Sequence, residues 1–300
     1  MAVYKKTYRP YQGTLTASWK RLMAVPRYAL EDLHRSRFLN IFYIASFAYP
    51  LIAAIIIYLE HNVAALQVLN AERVAAVVPL DASFFQNFLG WQSMLALFLA
   101  AFIGPGLVSP DLANNALSLY LARPFSRTEY VLGKASVLLL LMSLMTWVPG
   151  LLLFGYQTKL EGLQWMVVHQ RIGWGIFFGA WIWILWLSLL ALALSAWVKW
   201  KPAAGALMFG VIFVAAGFGG AVNQVEDTKW GSLLMIPEIV GKIWSWLFEG
   251  DQPHGNGGVF FRYNLSAPLP IAACWAALAM LCLICLYMLA RKIRGAEVVK

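Results

Sequence analysis

The stretch SPDLANNALSLYLARPFSRTEYVLGK, residues 109–134, is a polar interruption between two long apolar runs. Asp111 can open a helix, and Pro124 ends it, because proline lacks an N–H and disfavours helical backbone in the residue before it. Ser126 or Thr128 can then cap a second helix that enters the next apolar run. The stretch therefore predicts a short helix outside the bilayer, between two membrane spans.

The first predicted helix, over residues 113–121, has an apolar face. Leu117, Tyr120 and Leu121 stand at positions i, i+3 and i+4, so they share one side. Arg123 and Arg127 lie on either side of Pro124, at the end of this helix. A short helix outside the bilayer with an apolar face and nearby arginines is suited to docking on another protein. The alternative is a solvated loop that only obeys the charge rules of membrane topology.

The composition is that of a membrane protein. Hydrophobic residues make up 61% and charged residues 12% of the chain, and the mean hydropathy is +0.67. A soluble domain carries about 25% charged residues. The formal charge of +9 is scattered among the apolar runs. Anionic lipid and the positive-inside rule account for this charge better than a nucleic-acid partner does.

Six apolar runs are long enough to cross the membrane, which takes about 20 helical residues for a ~30 Å hydrocarbon core. The runs cover residues 38–59, 84–107, 131–154, 172–198, 203–222 and 269–290. They predict an all-α integral membrane protein with a six-helix transmembrane domain over residues 38–290. An outer loop over residues 223–268 carries tryptophans that we expect at the membrane surface, with a lid over a substrate as the alternative.

The distribution of basic residues predicts the orientation. With both termini in the cytoplasm, seventeen Lys and Arg residues lie on the cytoplasmic side and six on the other. Positive charge concentrates in cytoplasmic loops, so the termini are predicted to be cytoplasmic, with residues 291–300 as a basic tail. Residues 109–134 then also lie in the cytoplasm, where a soluble partner can reach them.

The first 37 residues are basic and show no signal-peptide pattern. Trp19, Leu22, Leu30 and Leu33 follow roughly helical spacing, with basic residues between them. We expect an amphipathic elbow helix on the cytoplasmic membrane surface, with its apolar side in lipid and its basic side on the head groups. A plain polar tail is the alternative.

Residues 117–134 resemble the signature loop of ABC-2 type permeases, the membrane subunits of ATP-binding cassette transporters. In that family, leucines followed by Pro-x-x-Arg and, further on, Gly-Lys come after an acidic residue and lead into the third span. The matching residues are Leu119, Leu121, Arg123, Pro124, Arg127, Gly133 and Lys134, with Asp111 in the acidic position. The family usually has Gly-Thr where this chain has Asn115-Ala116.

The resemblance implies a permease subunit of an ATP-driven transporter in a cell membrane, in bacteria the inner membrane, and more often an exporter than an importer. A separate ATPase dimer would bind ATP and Mg²⁺ and dock on the loop between spans 2 and 3. A second copy or a related permease would complete the complex. The implied docking residues are Leu117, Tyr120, Leu121, Arg123, Pro124 and Arg127. The arginines would lie at the rim, against acidic residues of the ATPase or lipid phosphate.

Several other chemistries are disfavoured. The chain has no GxxxxGK[ST] loop, so we expect neither ATP binding nor enzymatic activity in this subunit. We interpret Cys274, Cys282 and Cys285 as small packing residues rather than metal ligands, and expect no cofactor. Gly175 and Gly179 indicate close helix packing, with a homodimer seam as the alternative.

No span carries an ionisable residue in its core, which argues against ion-coupled transport. A non-transporting membrane scaffold is the second hypothesis.

Overall fold

The computed structural model describes residues 23, 26–31, 35–62, 80–114, 127–250, 261 and 269–292. About 89% of the described residues are helical, and none of them lies in a strand. The predicted all-α class is confirmed for this part of the chain.

In chain order, the helices of the described ranges are α1 (Arg37–Ser46), α2 (Ala48–Glu60), α3 (Ala82–Ala113), α4 (Arg127–Met145), α5 (Trp147–Glu161), α6 (Leu163–Val168), α7 (Gln170–Trp197), α8 (Lys201–Val225), a 3-10 helix (Trp230–Leu234), α9 (Ile236–Glu249) and α10 (Ile271–Lys292).

Within the described ranges, six stretches of helix are long and apolar enough to cross a membrane. The first is α1 with α2, and the third is α4 with α5. The other four are most of α3, then α7, α8 and α10. The prediction of six membrane-length helices is confirmed, and the stretches overlap the six apolar runs of the sequence.

Two of the spans consist of two helices in series, where the apolar pattern predicts one. Phe47 separates α1 from α2, and Thr146 separates α4 from α5. Each break lies three residues before a proline, Pro50 or Pro149. Proline is tolerated in the first turn of a helix, where an N–H has no helical partner, but it disrupts the interior. The prolines therefore divide these spans.

The break in the first span is also a joint to α3. The Ser46 carbonyl would normally accept a hydrogen bond from residue 50, and Pro50 has no N–H to donate. Nε2 of Gln92, on α3, donates to this carbonyl at 3.1 Å, and Ser46 and Gln92 are both buried. Because a buried carbonyl without a partner is costly, this contact stabilises both the break and the helix pair.

Helix α7 is the centre of the bundle. It packs against α3, α4, α5, α8, α9 and α10. The most apolar part of α7 is 67% buried, whereas the figure is 17% for the first span and for α10. The exposed apolar faces of these outer helices are the surfaces that lipid covers in a membrane protein.

Helix α9 lies within the predicted outer loop, but it packs inside the bundle. Trp244 is fully buried, so the prediction that the tryptophans of this loop lie at the membrane surface is wrong for Trp244. Trp244 is buried because two glycines on this face of α7 have no side chains and let α9 approach closely. A Cβ atom added at Gly179 would lie 3.2 Å from the Trp244 indole, and one at Gly175 would lie 2.8 Å from the Phe248 ring. The two glycines therefore provide close packing within the chain.

Hydrogen bonds hold α9 in this position. Nε1 of Trp244 donates to the carbonyl of Gly179 at 2.9 Å. Arg171, at the start of α7, donates to the carbonyl oxygens of Trp246 and Leu247 at 3.0 and 3.1 Å. The last carbonyls of a helix carry partial negative charge, and the Trp246 carbonyl accepts from the N–H of Gly250 at 3.0 Å as well as from Arg171. The Arg171 guanidinium therefore fixes the C-terminal end of α9 on α7.

Candidate functional site

An ion pair joins the two helices between which residues 114–126 run. Asp111 lies near the end of α3, and its Oδ2 atom is 2.9 Å from Nζ of Lys134 on α4. The hydroxyl of Tyr130 donates to the same oxygen at 2.8 Å. The side chains of Lys134 and Asp111 are 11% and 18% exposed, and Tyr130 is fully buried. Such low exposure strengthens charged hydrogen bonds relative to those at an open surface.

The helical spacing of α4 explains why two of its residues reach one carboxylate. Tyr130 and Lys134 are four residues apart and therefore share a face. Nζ of Lys134 also lies 5.7 Å from the centre of the Tyr130 ring, within reach of a cation–π interaction. Glu129, in the first turn, favours the start of α4 through the helix dipole. We call Asp111, Tyr130 and Lys134 the loop anchor.

A serine of α7 supports α3 just before the loop anchor. The hydroxyl of Ser195 donates to the carbonyl of Pro105 at 3.0 Å. The same oxygen accepts from the backbone N–H groups of Val108 and Ser109 at 3.2 and 2.9 Å. These bonds fall between Pro105 and Pro110, where the missing N–H groups interrupt the hydrogen-bond ladder of α3. Ser195 therefore couples this irregular part of α3 to the central helix.

A second serine contact connects α3 to the end of α7. The hydroxyl of Ser109 donates to the carbonyl of Lys199 at 2.7 Å. Lys199 lies in the short connection between α7 and α8. Together with Ser195, Ser109 ties the end of α3 that bears the loop anchor to both neighbouring helices.

The predicted role of Asp111 in secondary structure is wrong. The sequence predicts that Asp111 opens a helix outside the bilayer, whereas the structure places it inside α3, which continues to Ala113. An apolar run ending at residue 107 does not mark the end of the helix. Ser195 accepts from the N–H groups of Val108 and Ser109 after Pro105, and the N–H of Asn114 donates to the carbonyl of Pro110 at 3.0 Å, so α3 continues to Ala113. The continued helix brings Asp111 to Tyr130 and Lys134.

The remaining predicted residues fall partly outside the described ranges. Of the six predicted docking residues, Arg127 is described and is the exposed first residue of α4. The others, Leu117, Tyr120, Leu121, Arg123 and Pro124, lie outside the described residues. In the predicted elbow, Leu30 packs against the hydrophobic core. Trp19, Leu22 and Leu33 lie outside the described residues.

Sequence reasoning missed Tyr130 and Ser195, and it gave Asp111 no structural partner. A signal for the ion pair was present in Lys134, which stands near the start of the apolar third span. A lysine within a membrane helix commonly pairs with an acid, and the nearest preceding acid outside its own helix is Asp111. No comparable signal marks Ser195, because buried serines are common in membrane helices.

The described residues hold no group of three or more His, Cys, Asp or Glu side chains placed to bind a metal ion. Comparisons with models of known protein families and with curated proteins find no match. The function is therefore inferred from the loop anchor, from the membrane-length helices and from the motif between residues 117 and 134.

Proposed function

We propose that this chain is the membrane permease subunit of an ATP-binding cassette transporter, driven by a separate ATPase that docks on residues 117–127. The loop anchor is the observation that carries the proposal. It fastens together the two helices that lead into and out of the segment bearing the ABC-2-like motif. Two of the motif positions, the acidic residue and the lysine, are the two partners of this ion pair.

The loop anchor suits the transmission of movement. A partner that displaces the loop would move the ends of α3 and α4 together, because Asp111 is bonded to both Tyr130 and Lys134. The serine contacts would pass this movement from α3 to α7 and to the start of α8. Since α7 packs against most of the other helices, its displacement would rearrange the bundle. Rigid helices that shift as units are a common basis of switching between two arrangements.

The orientation predicted from basic residues is consistent with this role. It places the loop anchor and residues 117–127 on the cytoplasmic side, where ATP is available, and it places α9 at the opposite end of the bundle. In the proposed complex the ATPase dimer biases the permease between two arrangements. A second copy of this chain, or a related permease, would pair with it about a two-fold axis.

The docking hypothesis is tested by truncating the predicted anchors. If an open reading frame beside its gene encodes an ABC ATPase, as the proposal expects, the affinity-tagged permease is co-expressed with that ATPase. The double substitution Tyr120→Ala and Leu121→Ala should reduce ATPase retention at least about tenfold, because buried aromatic and aliphatic anchors dominate such contacts. Retention of the ATPase is measured on the tagged permease, together with ATP turnover in proteoliposomes.

A matched control uses an exposed aromatic–aliphatic pair at the other end of the bundle. Trp230 and Leu234 are 52% and 44% exposed, and their alanine substitutions should leave ATPase retention unchanged. Full retention by the Tyr120/Leu121 variant would contradict docking through this segment. Stable ATPase binding with no ATP-dependent change in the permease would favour the scaffold hypothesis instead.

A further inference from the structure

A groove lies between the start of α4 and the end of α10, and its volume is about 420 Å³. Its lining residues are Arg127, Thr128, Val131, Leu132, Leu286, Leu289 and Ala290. The polar residues belong to the first two positions of α4, and the other lining residues are apolar. The groove therefore offers one charged end and apolar walls.

The charged end of the groove is formed by Arg127. Arg127 is exposed, and within the described ranges no acidic side chain pairs with its guanidinium. Arg291 and Lys292 directly follow Ala290 and add positive charge in the last turn of α10. Arginine binds phosphate oxygens through two parallel hydrogen bonds. This end of the groove is thus complementary to a phosphate group.

The charged end and the apolar walls of the groove together restrict the chemical class of the ligand. A soluble phosphate would leave the surfaces of Leu132 and Leu286, which are 57% and 45% exposed, without a partner. A lipid without net negative charge would leave the positive charge of Arg127, the charged residue that lines the groove, uncompensated. An anionic lipid places a phosphate at the charged end and an acyl chain along the apolar walls. Basic pockets between membrane helices are known sites for such head groups.

We propose that the groove binds one anionic glycerophospholipid, with its phosphate on Arg127 and an acyl chain between α4 and α10. The sequence left two partners open for Arg127, acidic residues of an ATPase or lipid phosphate, and the groove favours the lipid. The site stands one turn before the loop anchor on α4, so the lipid braces the helix that leaves the loop. This inference does not depend on ATP-driven transport.

The proposal is tested on the purified full-length chain in mild detergent. Phosphatidylglycerol and phosphatidylcholine with identical acyl chains are titrated, and bound lipid is counted by native mass spectrometry. The unmodified chain should retain one phosphatidylglycerol in preference to phosphatidylcholine. Arg127→Gln should weaken this binding about tenfold, as expected when a charged hydrogen bond is lost. Lys201→Gln removes an exposed positive charge at the start of α8, outside the groove, and should bind as the unmodified chain does.

A second measurement uses the unmodified chain, so it does not depend on a variant folding. Phosphatidylglycerol with a photoreactive group in one acyl chain is crosslinked in nanodiscs, and the labelled peptides are identified. Labelling should concentrate at Leu132 and Leu286 and exceed that at Phe213 and Phe218, exposed residues of α8. Equal labelling of these helices would overturn the proposal. Equal affinity of the unmodified chain for both lipids, or an unchanged affinity of Arg127→Gln for phosphatidylglycerol, would overturn it as well.

Discussion

Nζ of Lys134 lies 2.9 Å from Oδ2 of Asp111, although the two residues belong to different membrane spans. In the sequence they are separate elements of one motif, an acidic residue before the loop and a lysine after it. In the structure they form a single contact. The ends of α3 and α4 that flank the segment between them are joined by this largely buried pair of charges.

Removal of one charge from this pair should destabilise the protein. In Asp111→Asn, Lys134 keeps its charge at a position that is only 11% exposed, and Tyr130 loses a charged acceptor. We expect a loss of about 2 kcal/mol in the free energy of unfolding, the typical value for a hydrogen bond to a charged group. The unfolding temperature in detergent, followed by size-exclusion chromatography, measures the effect.

The matched control for this ion pair removes both charges. Asp111→Leu combined with Lys134→Met leaves no unpaired charge, and such replacements are often close to neutral. The double variant should therefore be more stable than Asp111→Asn. If the double variant loses as much stability as Asp111→Leu and Lys134→Met lose together, the two side chains do not interact.

Ser195 and Ser188 provide a second comparison on one helix. Both are buried on α7, but the Ser188 hydroxyl has no hydrogen-bond partner among the described residues. Ser195→Ala should cost about 1 kcal/mol, because it removes the acceptor for two N–H groups of α3. Ser188→Ala should be neutral or stabilising. Thermal unfolding of both variants tests this, and equal effects would contradict the proposed role of Ser195.

The close packing of α9 on α7 predicts that a large side chain in place of a glycine disrupts the structure at this contact but not elsewhere. Gly179→Leu should displace α9, since even a Cβ atom at this position lies 3.2 Å from Trp244. Gly217→Leu on α8 should be tolerated, because nothing lies within 4 Å of its added Cβ. A cysteine at Ser245, buried on α9, reports the displacement through its reaction with a maleimide, after the native cysteines are replaced by alanine. Unchanged protection of this cysteine in Gly179→Leu would contradict the packing.

A histidine contact between α2 and α5 predicts a pH dependence of stability. Nε2 of His61 lies 2.9 Å from Oε1 of Glu161, and Nδ1 bonds the Ile57 carbonyl at 3.0 Å. Burial acts to lower the pKa of His61, but the Ile57 carbonyl and Glu161, with a smaller contribution from Glu60, raise it above its usual 6.5.

A pKa that is raised in the folded protein has a defined effect on how stability changes with pH. The stabilisation is fully present below the unfolded pKa and is lost as the pH rises through the folded pKa. The unfolding temperature should therefore contain a contribution at about pH 5 that is absent at about pH 8. His61→Gln should remove it, whereas His169→Gln, a histidine without an acidic contact among the described residues, should not. An unchanged pH profile in His61→Gln would refute the assignment.

The predicted orientation is tested at the two ends of one helix. Lys201 and Gln224 are exposed near opposite ends of α8. A cysteine at residue 224 should react with a membrane-impermeant maleimide in intact cells, and one at residue 201 should react only after the membrane is opened. Both variants are made without the native cysteines. The reverse pattern would overturn the orientation deduced from seventeen basic residues on one side and six on the other.

The residues that escaped prediction have a common property. Ser195 and Tyr130 are defined by partners on other helices, 86 and 19 residues away in the chain. The buried position of Trp244 depends in the same way on Gly179 of α7. Helical periodicity describes which side of one helix is apolar, but it does not say whether lipid or another helix covers that side.

Amino-acid composition and the length of the apolar runs were sufficient to determine an all-helical membrane protein with six membrane-length helices. Hydrocarbon leaves a spanning backbone few alternatives, because every peptide group must form a hydrogen bond within its own helix. The tertiary structure decided that α9 packs inside the bundle and that Asp111 pairs with Lys134. These features depend on close contacts between helices, which form only where the side chains of two distant segments are complementary in size and charge.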